Sequence, residues 1–247
     1  IKIASFFKAL NTKIKLQQEK INLLKEQKKG YMQKIFNREL RFKDEDGNEY
    51  LEWKDYTLSK IGTTFTGLSG KTKNDFGHGN HYFVTYVNVF NNLFAVEDGI
   101  EKVNVLENEN QSLVQKGDIF ITTSSETPHE VGMASIWTHS AKNLHLNSFC
   151  FGYRLYKNEN ILPEFVAISL RSEDIRKKSI LLAQGSTRFN LSKNELMKQN
   201  IKVPASIEEQ IKIVNFYKML DMKIFLAQKK FEALHLQKQA FMQQMFI

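Results

Sequence analysis

Two stretches of the chain carry apolar residues on alternating steps of four and three. Leu10, Ile14, Ile21, Leu24, Tyr31 and Ile35 form one series, and Leu220, Ile224, Phe231, Leu234, Phe241 and Met245 form the other. That spacing is the seam of a long helix that packs lengthwise on a partner helix. Neither stretch contains proline, and Gly30 is the one glycine in them, so nothing in the sequence breaks either helix. At ~1.5 Å per residue, 37 residues make a rod of about 55 Å, longer than a domain of this size can bury. The rods must therefore pack on each other or on partners.

The two stretches are copies. Laying residues 1–37 over 211–247 at a constant offset gives an ungapped match, with Phe6, Leu10, Ile14, Leu24, Lys28 and Met32 among the identities. Gln17 with Ala227, and Lys28 with Lys238, interrupt the apolar seam at matching places, as register-setting polar layers do. Pro204-Ala-Ser-Ile-Glu208-Glu209-Gln210 leads into the second copy, with proline outside the helix and acids in its first turn. The first copy begins without such a lead. The expectation is a second globular domain standing before Ile1, in a domain–helix–domain–helix plan.

Between the rods the period changes. Residues 38–52 read as a polar, acidic hinge. Short β-type runs follow at Lys60–Thr66, Tyr82–Phe90, Lys102–Leu106, Asp118–Thr123, Met133–Trp137 and Ser148–Tyr156, separated by Gly, Asn and Asp clusters. Pro163–Ala183 reads as a helix with Arg171, Arg176, Lys177 and Lys178 on its wet side. A capped short helix (Ser192–Lys198) and a last strand (Ile201–Val203) close the segment. The expected class is α+β: a mixed, β-rich domain over 38–206, flanked by long helices over 1–37 and 207–247 that form an antiparallel coiled coil.

Charge changes the picture less than its total suggests. The chain carries +8 over 247 residues, but residues 1–37 alone hold nine Lys against Glu19 and Glu26. The segment 38–206 holds 20 basic and 21 acidic residues, so bulk charge does not make the middle domain a DNA binder. Cys150 is the one cysteine, which excludes a disulfide framework and a cysteine-based zinc site and fits a reducing, cytoplasmic setting. No apolar run approaches the ~20 residues that span a bilayer.

Catalytic readings fall one by one. Gly67-Leu-Ser-Gly70-Lys71-Thr72 mimics the end of a phosphate-binding loop, but the glycine that loop needs at position 65 is Phe65. Glu52-Trp53-Lys54 has the Glu-x-Lys of many nucleases without a paired metal-binding acid. Cys150 could be paired with His129, His139 or His145, but Phe149-Cys150-Phe151 reads as a core strand. The histidines lack metal-ligand spacing, and no glycine-rich cofactor loop follows a strand. No cofactor and no metal are expected, and no enzyme.

Several elements resemble, in order, those of type I restriction-modification specificity subunits. These are Glu52-Trp53-Lys54, Gly67–Thr72, Lys116-Gly117-Asp118-Ile119, Gln184-Gly185-Ser186-Thr187 before Leu191-Ser192, Ile201-Lys-Val-Pro204, Glu208-Glu209-Gln210, and the rod from Leu220 to Phe246. The resemblance implies two recognition domains joined by antiparallel helices, of which this chain holds the second domain and both helices. It also implies reading of one half of a bipartite site in double-stranded DNA. The implied partners are methyltransferase subunits docked on the rods and restriction subunits beyond them. A homodimer is a further possibility, since each rod resembles the other and exchange between chains restores a two-domain plan.

For DNA contact the residues point to three polar loops. Ser69, Lys71, Thr72 and Lys73 form the first; Thr123, Ser124, Ser125 and Thr127 the second; Gln184, Ser186, Thr187 and Arg188 the third. Hydroxyl and basic groups hold phosphates, while Arg, Asn and Gln read base edges. The competing reading is a coiled-coil assembly module whose middle domain binds protein.

Overall fold

A computed structural model describes residues 2–157, 160–185 and 187–245, with nothing described of the side chains of Lys2 and Met245. The chain divides into two units, one made of residues 1–41 and 212–247, the other of 42–211.

In the first unit α1 (Lys2–Phe36) lies antiparallel to α7 (Ile207–Met245). Leu10 and Ile14 bury against Leu234, with Phe231 and Phe241 packed at the edges. Further along, the Gln17 amide donates to the Ala227 carbonyl at 2.8 Å, and the Lys28 ammonium is bonded to Asp221. The Lys28 Nζ also lies 3.7 Å over the Tyr217 ring. Partners in α7 therefore fall in number as positions in α1 rise. The pairing is also two-fold symmetric in the repeat. Phe6 meets Phe241 edge-on at 5.1 Å, and their counterparts, Tyr31 and Phe216, meet edge-on at 5.3 Å. Gln17 and Lys28, two of the residues that interrupt the seam, are thus bonded across it.

The second unit holds the remaining elements. In chain order these are β1 (Lys54–Thr57), α2 (Leu58–Ile61), β2 (Gly62–Thr66), β3 (Phe76–Val84), α3 (Tyr86–Asn91), β4 (Ile100–Val103), β5 (Ile119–Thr122) and β6 (Ser124–Ser125). Then come β7 (Ala134–Ile136), β8 (Leu144–Leu146), β9 (Cys150–Leu155), α4 (Pro163–Leu170), α5 (Glu173–Leu182), β10 (Ala183–Gln184), β11 (Phe189–Leu191), α6 (Lys193–Met197) and β12 (Asn200–Val203). An antiparallel sheet β2-β9-β5-β7 forms the centre. Beside it stand β4-β3-β8, in which β3 and β8 are parallel, a small sheet β10-β11-β6, and the pair β1-β12. The class is α+β. Phe120, Trp137, Val84, Leu144, Leu146 and Cys150 belong to one buried hydrophobic cluster of this unit. Cys150 is buried, and burial pushes its thiol pKa up, as befits a core side chain rather than a nucleophile.

Four local expectations are corrected. The run Tyr82–Phe90 divides: β3 ends at Val84, and Thr85 caps α3 by accepting from the Asn88 N–H at 3.2 Å. Its β-branched and aromatic residues mimicked a strand, but the cap decided the backbone. In the same way Leu58–Ile61 forms α2, so the run from Lys60 becomes strand only at Gly62. The helix expected over Pro163–Ala183 is two helices, because Ser172 turns extended (φ −63°, ψ 153°) between α4 and α5. Arg171 and Arg176 do not lie on a wet side. Arg171 donates to the carbonyls of Ala134, Val89 and Phe90, and Arg176 to those of Val131 and His129. Burial, with Arg171 nearby, pulls the Arg176 pKa down to about 10.

The motif at residues 116–119 is structural. Asp118, 1% exposed, accepts two 2.7 Å bonds from Arg154 of the neighbouring β9, and a third from the Gln115 N–H. Gly117 has φ 91°, a conformation that side chains rarely adopt, and so gives the turn that aims Asp118 inward. Phe65 packs its ring onto Gly152, its cross-strand partner, where any Cβ would collide with the ring. The Pro-to-Gln motif starts α7: the Ser206 hydroxyl accepts from the N–H groups of Glu208 and Glu209. Buried Gln210 bonds to Leu162, Asn160 and Pro204.

Candidate nucleic-acid interface

The three loops picked out in the sequence converge on one residue, Phe149. It stands at the tip of the turn between β8 and β9 and is 46% exposed. On one side a hollow of about 410 Å³ is lined by Gly70, Lys71, Thr72, Lys73, Asn147, Ser148 and Phe149. On the other a cleft of about 220 Å³ is lined by Tyr86, Ser124, Ser125, Glu126, Glu130, Phe149 and Arg188. Phe149 forms the ridge between them.

Hydrogen bonding fixes each loop. The first is pinned at its base by the Leu68 N–H, which donates to the Leu146 carbonyl at 2.8 Å. Gln111 then clasps the Ser69 backbone, accepting from its N–H at 3.1 Å and donating to its carbonyl at 2.8 Å. Thr72 and Asp75 form a capping box; the Thr72 backbone N–H and then its hydroxyl hold the Asp75 carboxyl below the usual carboxylate range. Lys71 differs from its neighbours. Its side chain is 4% exposed and ion-paired with Glu109, whose pKa the Lys71 and Gln111 hydrogen bonds lower. It anchors the loop, while Ser69, Thr72 and Lys73 remain exposed.

The second loop is joined to the ridge. The Thr123 N–H and hydroxyl both donate to the Phe149 carbonyl, at 2.9 and 2.7 Å. Ser125 donates to the Glu130 carboxylate, so the hydroxyls of Thr123 and Ser125 are engaged within the protein. Arg176 holds the loop from beneath through His129 and Val131. Gly132 (φ 73°) lets the chain pass against Ser179 and Arg176, where a Cβ would lie 2.8 Å from the Ser179 Cβ. Ser124 lines the cleft, and Thr127 is exposed.

The third loop joins the second through the β10-β11-β6 sheet. Gln184 pairs with Asn190, and Asn190 with Ser124, so these three share one face. Arg188 lies 5.2 Å over the Phe149 ring. Gln184 and Thr187 are exposed; Ser186 lies outside the described residues. Sequence reading missed Phe149, Asn190, Glu126 and Glu130. The alternation of polar Arg188 and Asn190 with apolar Phe189 and Leu191 was the available signal for Asn190. For Phe149 no signal exists, because an aromatic residue beside a core strand reads as core.

The rods carry a surface of another kind. Leu16 and Leu23 in α1, and Met222, Phe225, Leu226 and Leu236 in α7, are exposed. Among the described residues no group of His, Cys, Asp and Glu is arranged to hold a metal ion, and no helix is long and apolar enough to cross a membrane.

The fold has solved counterparts at low identity. A structure from a study of assembly and conformational transition in a type I restriction-modification system matches 97% of this chain and 55% of its own length, at 15% identity and a TM-score of 0.64. The S subunit of the type I system of M. genitalium matches over 97% and 58%, at 15% identity and a TM-score of 0.58. The HsdS subunit of Thermoanaerobacter tengcongensis matches over 97% and 54%, at 14% identity and a TM-score of 0.60. The chain thus spans little more than half the length of these counterparts. No curated protein matches the sequence. The profile of the type I restriction modification DNA specificity domain matches residues 50–236, from the start of the β-rich unit deep into the second rod. With its fold shared by S subunits and most of its length matched by that profile, this chain belongs to the type I restriction-modification DNA specificity family.

Proposed function

We propose that the chain is a non-catalytic recognition subunit that reads one half of a bipartite target in double-stranded DNA through the domain of residues 38–206. The observation that carries this reading is the convergence of three polar loops on Phe149. Exposed hydroxyls and Lys73 are suited to phosphates, and the amides of Gln184 and Asn190 with Arg188 to base edges. The loops are held by internal hydrogen bonds, so little ordering is left to oppose binding. Methyltransferase subunits dock on the rods, where the exposed Leu16, Leu23, Phe225 and Leu226 offer apolar contacts to a partner. Restriction subunits join beyond them. The protein works in the cytoplasm.

Selection from a random duplex library with the chain and its methyltransferase partner tests this. Enrichment of a defined sequence is expected. Capture of a protein with no enrichment of any duplex would favour an assembly module instead.

A further inference from the structure

The cleft beside Phe149 has two poles of opposite hydrogen-bonding character. Arg188, held over the Phe149 ring, is a pure donor. Glu126 and Glu130, lining the same cleft, are acceptors. Among the described residues neither Arg188 nor Glu126 forms an ion pair, and both are exposed. Glu130 is committed to Ser125, which fixes the backbone that presents Glu126. A phosphate placed here would meet two carboxylates, and that repulsion opposes anion binding. What fits a donor pole next to an acceptor pole is the edge of a base pair that offers both.

We propose that this cleft is a base-reading element for a G·C pair in the major groove, Arg188 donating to guanine O6 and N7 and Glu126 accepting from the cytosine N4 amino group. Those are the pairings that guanidinium and carboxylate geometry select. The Arg188 guanidinium carbon lies 5.2 Å from the Phe149 ring centre, and Arg176 supports the loop that carries Glu126. This inference rests on the DNA-reading function proposed above and assigns specificity within it.

The test uses the chain with its methyltransferase partner and sequences the methylated sites in a random duplex library. Glu126→Gln and Arg188→Ala are each expected to lower preference at one G·C position by roughly ten-fold or more. The loss at that one position should exceed any change in binding to unrelated duplex, where only the removed charge is felt. Both side chains are exposed, so folding is preserved, and Glu126→Asp serves as a conservative second variant. A uniform loss across all sequences, with a salt slope reduced by about one, would make Arg188 a phosphate contact and overturn the proposal. An unchanged motif in both variants would overturn it too, while leaving the DNA-reading function standing. A parent complex with no sequence preference would bring down both.

Discussion

Gln17 donates its amide to the backbone carbonyl of Ala227, the residue that occupies its own place in the second copy of the repeat. The contact therefore sits beside the pseudo-two-fold axis of the rod pair. The carbonyl's second lone pair takes the bond, and burial (Gln17 is 7% exposed) makes the partner necessary. Gln17→Ala should cost about 1 kcal/mol. Gln17→Leu should retain stability yet loosen the register, because an apolar seam without a polar layer tolerates slippage. Chemical denaturation, with spin-label distances between the rods, measures the two effects separately. Equal register in parent and Gln17→Leu would remove Gln17 from that role.

Lys28 bonds Asp221 and covers the Tyr217 ring. Lys28→Glu puts a carboxylate against another carboxylate and against the negative face of the ring. The helix pair should lose stability, read as a lower thermal midpoint and weaker methyltransferase co-purification. Lys15→Glu, at an exposed site, should do neither.

The symmetric seam also predicts exchange between chains. Because Phe6–Phe241 and Tyr31–Phe216 are equivalent pairs, α1 of one molecule can pair with α7 of a second in the same register. Light scattering is expected to detect a dimer, and its complex to methylate inverted half-sites separated by a fixed spacer. A strict monomer that modifies only asymmetric sites would refute the exchange.

The ion pair of Asp118 with Arg154 ties the start of β5 to β9 at the end of β9 remote from the Phe149 turn. Asp118→Ala leaves the half-buried Arg154 without its bidentate partner and the Gln115 N–H without its acceptor, at a cost of about 2 kcal/mol. Urea midpoints report the loss; a change below about 0.5 kcal/mol would show that the network is dispensable.

His145 carries a pH dependence. Its Nδ1–H donates to the Ser112 carbonyl at 2.8 Å, which leaves Nε2 to accept from His81 Nδ1, also at 2.8 Å. Burial holds its pKa below the ordinary imidazole value. The Ser112 bond opposes that, the His81 and Lys71 charges add to it, and Glu109 offsets part. With the folded pKa below the unfolded one, the unfolded chain binds the proton first as pH falls. Stability is therefore full above about pH 6.5 and declines as pH drops through that value toward the folded pKa. Thermal midpoints between pH 8 and 5 should show the decline, and His145→Gln should flatten it.

The rods, their antiparallel partnership and the α+β class of the middle were legible in the sequence because each rests on short-range period. A four-three spacing makes a seam whatever lies elsewhere, and an ungapped repeat makes two seams fit each other. That these segments are polar loops was legible as well, since clusters of Ser, Thr and Gly end strands. What tertiary structure decided is how those loops use their groups. Lys71 was read as one of four DNA-contacting residues of the first loop, yet Glu109, 38 residues away in the chain, claims its ammonium. Arg176 looked solvated, yet it supports the loop above it. Phe149 looked like core, yet it is the ridge on which all three loops meet. Partners such as these are set by long-range packing, where the nearest opposite charge or open carbonyl is a matter of topology and leaves no periodic trace along the chain.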